Sequence, residues 1–293
     1  MLKLARRYHF ERGYKQRTRI VTALSSFHGR SMGALTMTGQ PKYQEGMGPM
    51  VGDVEHVPYG DLDALRAKVD ARTAAVVLEP VQGEGGVVAA SKEYLLGARK
   101  ICDEAGALFM LDEVQTGFGR TGRFLAREWS GVMPDACALA KGIAGGFPLG
   151  AVGVRAGIDK GLPPGTHGTT YGGNALACAA GLAVLRIFDE EKVVENAHEM
   201  GFYLGAKLTA LCADDTIPAA AEARGLGLLR GIAVEHDYDP AAIIADIRKR
   251  GVLLSIAGGN VLRFSPPLCI TKAEIDEAMV AVEAALRAAK PRS

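Results

Sequence analysis

The chain has 293 residues, of which 48% are hydrophobic, and this length suits one large domain or a large domain with a smaller partner. Its 34 lysines and arginines nearly balance its 33 aspartates and glutamates, which argues against a surface for nucleic acid or an anionic membrane. The 5 cysteines form no CxxC pair, which argues against a disulfide framework or a zinc site and favours a reducing, cytosolic setting. Because the balanced charge disfavours nucleic acid and membrane surfaces, we expect a small-molecule partner.

The N-terminal segment predicts an amphipathic helix. Leu2, Leu4, Ala5 and Tyr8 fall on one side of it, and the segment lacks the apolar centre of a secretory signal. No apolar run elsewhere approaches the roughly 18 residues of a membrane span.

Short apolar runs then alternate with helical patterns. The runs predict buried strands at 19–24, 74–80, 107–113, 135–140 and 149–154. The helical patterns lie at 61–69, 92–105 and 174–188. Because parallel strands need crossover connections, this alternation predicts an α/β fold with a mainly parallel sheet flanked by helices.

The pattern changes after about residue 190. Helical segments at 191–211 and 240–251 bracket shorter strands at 227–235 and 260–268. We therefore predict two domains, a large one over 1–188 and a smaller α+β domain over 189–293.

Ligands of parallel sheets bind beyond the carboxyl ends of the strands, so polar residues that follow the apolar runs are candidates. These are Glu79, Gln82, Asp112, Gln115 and Lys141. Asp112 and Lys141 lie one crossover apart and are expected to meet at the same edge. A lysine in a dry pocket has a lowered pKa and can form a Schiff base, while a facing carboxylate can keep a pyridinium nitrogen protonated. Taken singly, a solvated loop lysine and a strand-end cap are the commoner roles of these residues.

Three further segments are dense in polar and glycine residues. Residues 25–39 bring an aromatic, a histidine and an arginine to the mouth of the sheet, and residues 78–87 place two glutamates around a glycine-rich turn. Residues 167–180 supply hydroxyls and amides before a helix that Asn174 can cap, an arrangement suited to a phosphate. Each segment by itself also fits an ordinary role as core, surface ion pair or tight loop.

Together these segments resemble the class III pyridoxal-phosphate-dependent aminotransferases, and most closely the acetylornithine and succinylornithine group. The motifs are "SFHGR", "LEPVQGEGG", "LDEVQTGFGRTG", "ALAKGIAGGFPLGA", "HGTTYGGN" and "GNVLRFSPPLCITKAEIDEA". The resemblance implies the fold type I architecture of aspartate aminotransferase and pyridoxal 5'-phosphate as cofactor. A nicotinamide-binding oxidoreductase is disfavoured because no G-x-G-x-x-G follows an early strand.

The resemblance also implies roles for residues around the cofactor ring. Lys141 would form the Schiff base with pyridoxal phosphate and then move the substrate proton, and Asp112 would bind the pyridine nitrogen. Phe27 would stack on one face of the ring and Val114 would pack on the other. Gln115 would bind the ring hydroxyl oxygen.

By the same resemblance, Thr169 and Thr170 would reach the cofactor phosphate of a neighbouring subunit, so the active site would be shared within a homodimer. Arg30 would take the substrate α-carboxylate. Glu84 and Arg263 would form a gating pair, in which the glutamate holds the arginine aside until the carboxylate of glutamate or 2-oxoglutarate arrives.

The expected reaction moves the terminal amino group of N-acetylornithine, or a similar acylated ornithine, to 2-oxoglutarate, giving a semialdehyde and glutamate in arginine metabolism. Two alternatives stay open: another class III ω-aminotransferase with an ornithine, 4-aminobutyrate or diamine donor, and a non-catalytic remnant. The resemblance also implies that about the first 100 residues of the family's usual length are missing. These would include a Ser-Gly-x-Glu-Ala-type loop that cradles the cofactor phosphate.

Overall fold

A computed structural model describes residues 1–292, and the contacts within the chain divide it into two compact units. The first unit consists of Met1–Pro80, Ala90–Gln115 and Arg127–Arg186. The second consists of Val81–Ala89, Thr116–Ala126 and Ile187–Ser293, so two short earlier segments accompany the C-terminal part. The predicted domain boundary after residue 188 stays a prediction.

The helices and strands of residues 1–292 follow in chain order. The α-helices are α1 Leu2–Glu11, α2 Met32–Met37, α3 Leu62–Lys68, α4 Lys92–Ala105, α5 Ala175–Glu190, α6 Val193–Cys212, α7 Pro240–Lys249 and α8 Lys272–Ala288. The strands are β1 Arg19–Ala23, β2 Val54–Val57, β3 Thr73–Leu78, β4 Val81–Gln82, β5 Val88–Ala89, β6 Leu108–Asp112, β7 Ala136–Leu139, β8 Ala151–Val154, β9 Ala220–Leu226, β10 Leu229–Val234, β11 Ser255–Ala257 and β12 Val261–Phe264.

The first unit is built on a six-stranded sheet in the order β2-β1-β3-β6-β7-β8. Neighbouring strands are parallel except β7 and β8, which confirms the predicted α/β fold with a mainly parallel sheet. Every residue of β3 is buried, as expected of a central strand covered on both faces. The sequence prediction missed β2, whose sequence VEHV mixes valines with charged and polar residues.

Strand β8 is present, but its predicted burial is wrong. It lies last in the sheet and is antiparallel to β7, and both Val152 and Val154 are exposed. An apolar run predicts a strand, whereas its burial depends on what covers the edge of the sheet.

Helix α4 shows how local sequence sets an element that packs on this sheet. The Ser91 hydroxyl accepts a hydrogen bond from the Tyr94 amide at 3.0 Å and begins the helix, and Gly106 ends it in the left-handed conformation. Its buried face includes Leu95, Ala98 and Cys102, a spacing that matches the helical repeat.

The second unit packs α6, α7 and α8 with an antiparallel sheet in the order β11-β12-β10-β9. A capping box between Thr271 and Glu274 begins α8, whose buried face includes Ile275, Met279 and Val282. Segment Val81–Ala89 contributes the separate β4-β5 hairpin, so Gln82 lies within a strand rather than after one. No helix within residues 1–292 is long and apolar enough to cross a membrane.

Candidate active site

Polar side chains gather at the carboxyl ends of neighbouring parallel strands in the first unit. Strands β1, β3, β6 and β7 are consecutive in the sheet, with Asp112 opposite Ala138. Glu79 follows β3 directly, Asp112 ends β6, and Lys141 lies two residues beyond β7. The strands that carry Asp112 and Lys141 are therefore neighbours, as the spacing predicts.

Asp112 is held by two hydrogen-bond donors. Its Oδ2 lies 2.8 Å from Nδ1 of His28, and its Oδ1 accepts from the Val114 amide at 3.1 Å. His28 Nε2 in turn lies 2.9 Å from Oγ1 of Thr22 on β1. The side chains of His28 and Asp112 are 1% and 7% exposed. Asp112 is therefore part of a buried chain of hydrogen bonds.

A second carboxyl group, that of Glu79, lies close to this pair. Burial is the main cause that raises the pKa of Glu79 to about 8. The charge of His28 opposes this rise, and the negative charge of Asp112 reinforces it. The Phe27 amide, which donates to Glu79 Oε2 at 3.1 Å, and the charge of Lys141 also oppose the rise in this pKa. Glu79 is therefore a neutral acid at neutral pH.

The protonation of His28 depends on the same groups. Burial by itself lowers the pKa of His28, but the hydrogen bond and charge of Asp112 and the charge of Glu79 outweigh this effect. The pKa of His28 consequently lies above its ordinary value.

Lys141 begins a 3₁₀ turn over Lys141–Ala144 and has a φ of 51°. This left-handed conformation is uncommon outside glycine, and such strained residues cluster at functional sites. Contrary to the predicted dry pocket, Lys141 is exposed. The following glycine-rich segment 142–150 is itself largely exposed and does not cover the lysine.

An aromatic and cationic cluster joins the loop after β1 to the 3₁₀ turn Pro41–Tyr43, which follows α2. Phe27 is half-buried and packs edge-to-face on Tyr43, with ring centroids 5.8 Å apart. The guanidinium carbon of Arg30 lies 4.3 Å from the Tyr43 ring centroid and 5.5 Å from that of Phe27. Arg30 is itself exposed, and the N–H groups of a guanidinium lie in its plane, where a carboxylate binds.

The remaining predicted residues of the first unit lie on two segments. Val114 and Gln115 are half-buried directly after β6. Thr169 and Thr170 are exposed in the loop before α5, which Asn174 caps by accepting from the Ala177 amide at 3.0 Å, as predicted.

Thr169 also lines a cleft of about 550 Å³ with Phe147, Tyr171 and Leu176. Lys141 and Asp112 are not among the residues that line this cleft. The structure therefore places Thr169 at a solvent-facing opening, with Thr170 exposed beside it.

In the second unit the structure brings Glu84 and Arg263 together. Glu84 Oε1 lies 2.5 Å from the guanidinium of Arg263, which also donates to the Gly83 carbonyl at 3.0 Å and to Ser255 Oγ at 3.1 Å. Ser255 and Arg263 are register partners on the antiparallel strands β11 and β12, which explains the last contact. Three groups thus hold the arginine, and one of them, the Glu84 carboxylate, is charged.

His28 lies in the motif SFHGR, but the sequence predicted no role for it. The sequence also did not predict that Tyr43 lies at the site. A histidine soon after a buried strand is a weak local signal of a functional site, and Tyr43 lies farther along the chain, in the turn beyond α2. The bond from His28 to Asp112 spans 84 residues of sequence, which no local pattern reports.

The family model described as aminotransferase class III matches residues 1–286. The chain belongs to this family. Its members are transaminases that depend on pyridoxal phosphate, and we describe the chain as such a transaminase.

Similar proteins agree with this assignment. An acetylornithine aminotransferase of Clostridium acetobutylicum is 45% identical, over 98% of this chain and 73% of its own length. One from Agrobacterium fabrum is also 45% identical, over 97% of this chain and 70% of its own. The chain therefore spans about 70% of these relatives. The solved ornithine aminotransferase of Toxoplasma gondii superimposes with a TM-score of 0.93 at 34% identity, over 98% of this chain and 69% of that one.

The residues of this transaminase fit the ring of pyridoxal phosphate. Asp112 uses one lone pair on each oxygen for His28 and Val114, so the carboxylate can still accept a ring N–H. Lys141 and Phe27 lie near the same strand ends, where they would offer an amine and an aromatic face to such a ring. The hydroxyls of Thr169 and Thr170 are exposed, as their predicted role toward the cofactor phosphate of a neighbouring subunit requires.

Proposed function

We propose that the chain is an aminotransferase that moves the terminal amino group of N-acetylornithine, or a similar acylated ornithine, to 2-oxoglutarate. The products are a semialdehyde and glutamate, within arginine metabolism. Identity of 45% to acetylornithine aminotransferases over nearly the whole chain carries this proposal. The strand-end arrangement of Asp112 and Lys141 supports it independently.

Pyridoxal phosphate, when bound, supplies an electron sink that stabilises negative charge on the substrate carbon. In this proposal Lys141 is the residue that binds the cofactor covalently and then moves a proton to and from the substrate carbon. Asp112 holds a proton on the ring nitrogen. Gln115 binds the ring hydroxyl oxygen, and Phe27 and Val114 hold the two faces of the ring.

Arg30 and the pair of Glu84 and Arg263 would select the substrates. Arg30 is exposed and stacked, so it can bind the α-carboxylate without first breaking an ion pair. Arg263 is held by Glu84, and an incoming second carboxylate can compete for its guanidinium. This competition would let the enzyme take a diamino donor and a dicarboxylate acceptor in turn.

We propose a second copy of the chain as the partner at the exposed face of the first unit. Helix α5 exposes Leu176, Leu182 and Leu185, and Tyr171 just before it is 81% exposed. An apolar surface of this kind is typical of an interface. Its position beside Thr169 fits a homodimer in which a partner covers the open site. A Leu182→Glu variant should then sediment as a monomer, and an unchanged sedimentation coefficient would contradict this interface.

The function is tested by adding pyridoxal phosphate to the purified chain and recording the visible absorption of a lysine–cofactor imine. We expect a band in the wild type that disappears in Lys141→Ala and persists in Lys160→Ala, a control at an exposed lysine outside the site. Identical spectra for all three proteins would refute the assignment of Lys141.

The amino donor is tested with a panel of N-acetylornithine, ornithine, 4-aminobutyrate and diamines, each with 2-oxoglutarate. We expect the highest kcat/KM for N-acetylornithine. A preference for ornithine would favour the ω-aminotransferase alternative, which the likeness to solved ornithine aminotransferases also supports. Absence of any activity together with absence of the absorption band would favour a non-catalytic remnant.

We also place the protein in the cytosol, because all five cysteines are free.

A further inference from the structure

His28 connects two strands of the first unit, β1 and β6, and the end of helix α2. It follows β1 in the loop, and its imidazole reaches Thr22 within β1 through Nε2 at 2.9 Å and Asp112 at the end of β6 through Nδ1 at 2.8 Å. Its own amide donates to Thr38 Oγ1 at 2.9 Å, which fixes the backbone as well. A buried histidine with three specific partners has one defined orientation.

The hydrogen-bond partners also define the tautomer of His28. The Asp112 carboxylate can only accept, so Nδ1 of His28 carries a proton. The Thr22 hydroxyl can donate to a neutral Nε2 or accept from a protonated one. The bond from Nδ1 to Asp112 therefore persists whether the imidazole is neutral or charged.

The two donors on Asp112 leave its carboxylate little rotational freedom. The Val114 amide holds Oδ1, and His28 Nδ1 holds Oδ2. Without His28, Oδ2 would lose the donor that His28 provides, and the buried carboxylate could turn about the Cβ–Cγ bond. Outer partners of this type are known to orient the groups that act directly on a bound centre.

We propose that His28 is a positioning residue that fixes the orientation of the Asp112 carboxylate, and through it keeps the cofactor ring nitrogen protonated. This inference rests on the proposed function, since it assigns Asp112 to that nitrogen. Thr22 acts behind His28 by holding the imidazole at Nε2.

Several charged and titratable groups surround His28 and bear on the pH range over which it can hold Asp112. Asp112 faces it from β6, Glu79 from the end of β3, and His56 from β2, while Lys141 acts on Glu79. Because Nδ1 stays protonated in both charge states of His28, we expect the orientation of Asp112 to hold across the neutral and alkaline range.

The test compares His28→Leu, His28→Asn and Thr22→Val with the wild-type chain. Leucine removes both hydrogen bonds, whereas the asparagine amide can restore the donor that Nδ1 presents to Asp112. His9→Leu is the matched control, because His9 is 3% exposed and bonded to the Ala74 carbonyl, away from the carboxylates. Far-UV circular dichroism and thermal melting identify any variant that fails to fold.

The main readout is the ¹⁵N NMR shift of ring-labelled pyridoxal phosphate bound to each protein, which reports directly whether the ring nitrogen is protonated. We expect a protonated nitrogen in the wild type, a ring-nitrogen pKa lower by about one pH unit or more in His28→Leu, and recovery in His28→Asn. The corresponding loss in kcat is on the order of 10- to 100-fold, the range for a hydrogen bond to a charged group, with little change in KM. Thr22→Val should give a smaller effect in the same direction, and His9→Leu none.

A His28→Leu protein that folds, binds pyridoxal phosphate and keeps the wild-type ring-nitrogen pKa would overturn the inference and leave the proposed function intact. A raised pKa would also overturn it, because His28 would then act as a positive charge that repels the ring proton. If the wild type itself gives no Lys141-dependent absorption band, the proposed function fails and the inference fails with it.

Discussion

Replacement of Glu79 by glutamine should make the protein more resistant to alkaline pH. Glutamine keeps the shape of a neutral carboxylic acid, and its carbonyl oxygen can accept the bond from the Phe27 amide. Burial, the main cause, raises the pKa of Glu79 to about 8 from 4.5, so the folded protein holds a proton that the unfolded chain releases. This release of a proton favours the unfolded state of the wild-type protein, whereas the Glu79→Gln protein has no such proton to release.

The sign and size of the effect follow from linkage. Below about pH 4.5 both states of wild type carry the proton, and Glu79 adds no pH dependence. As the pH rises toward about 8, the unfolded state is favoured by about 1.4 kcal/mol for each pH unit, which reaches roughly 5 kcal/mol in all. Between about pH 5.5 and about pH 7, wild type should lose about 2 kcal/mol relative to Glu79→Gln.

Urea unfolding of the cofactor-free protein, followed by circular dichroism at both pH values, measures this difference. Glu93→Gln is the matched control, because Glu93 is exposed in the first turn of α4 and should change with pH as wild type does. If Glu79→Gln and wild type lose free energy of unfolding equally over this range, Glu79 is ionised in the folded state at neutral pH and the reasoning is refuted.

Four further substitutions test other parts of the structure. Arg263→Lys removes the planar guanidinium that meets Glu84. Steady-state kinetics should show the KM for 2-oxoglutarate rising about tenfold, while the KM for the amino donor changes less. Equal changes in both KM values would argue against a gating role of the Glu84–Arg263 pair. Gly225→Ala should lower the free energy of unfolding by about 2–4 kcal/mol, because its Cβ would overlap a strand carbonyl at positive φ. Gly259→Ala, also at positive φ but in open space, should lose only about 1–2 kcal/mol in the same denaturation assay. Thr271→Ala removes the capping box of α8 and should lower the melting temperature through a loss of about 1 kcal/mol, whereas an unchanged melting temperature would show that the cap adds nothing.

The sequence by itself determined the order and type of most elements. Apolar runs located β1, β3, β6 and β7, and the helical pattern at 92–105 located α4, which Ser91 and Gly106 cap in the structure. These are local effects, since hydrophobic periodicity and backbone preference act over a few residues. The spacing of Asp112 and Lys141 predicted neighbouring strands because one crossover joins adjacent parallel strands.

Only the tertiary structure decided which side chains meet and which remain open to solvent. The bond between His28 and Asp112 joins residues 84 positions apart, and the rise in the pKa of Glu79 requires burial beside groups from other segments. Lys141 and β8 are exposed although their surrounding sequence is apolar, because burial depends on what packs over an element. Contacts and desolvation are set by segments distant in sequence, and a local pattern carries no record of them.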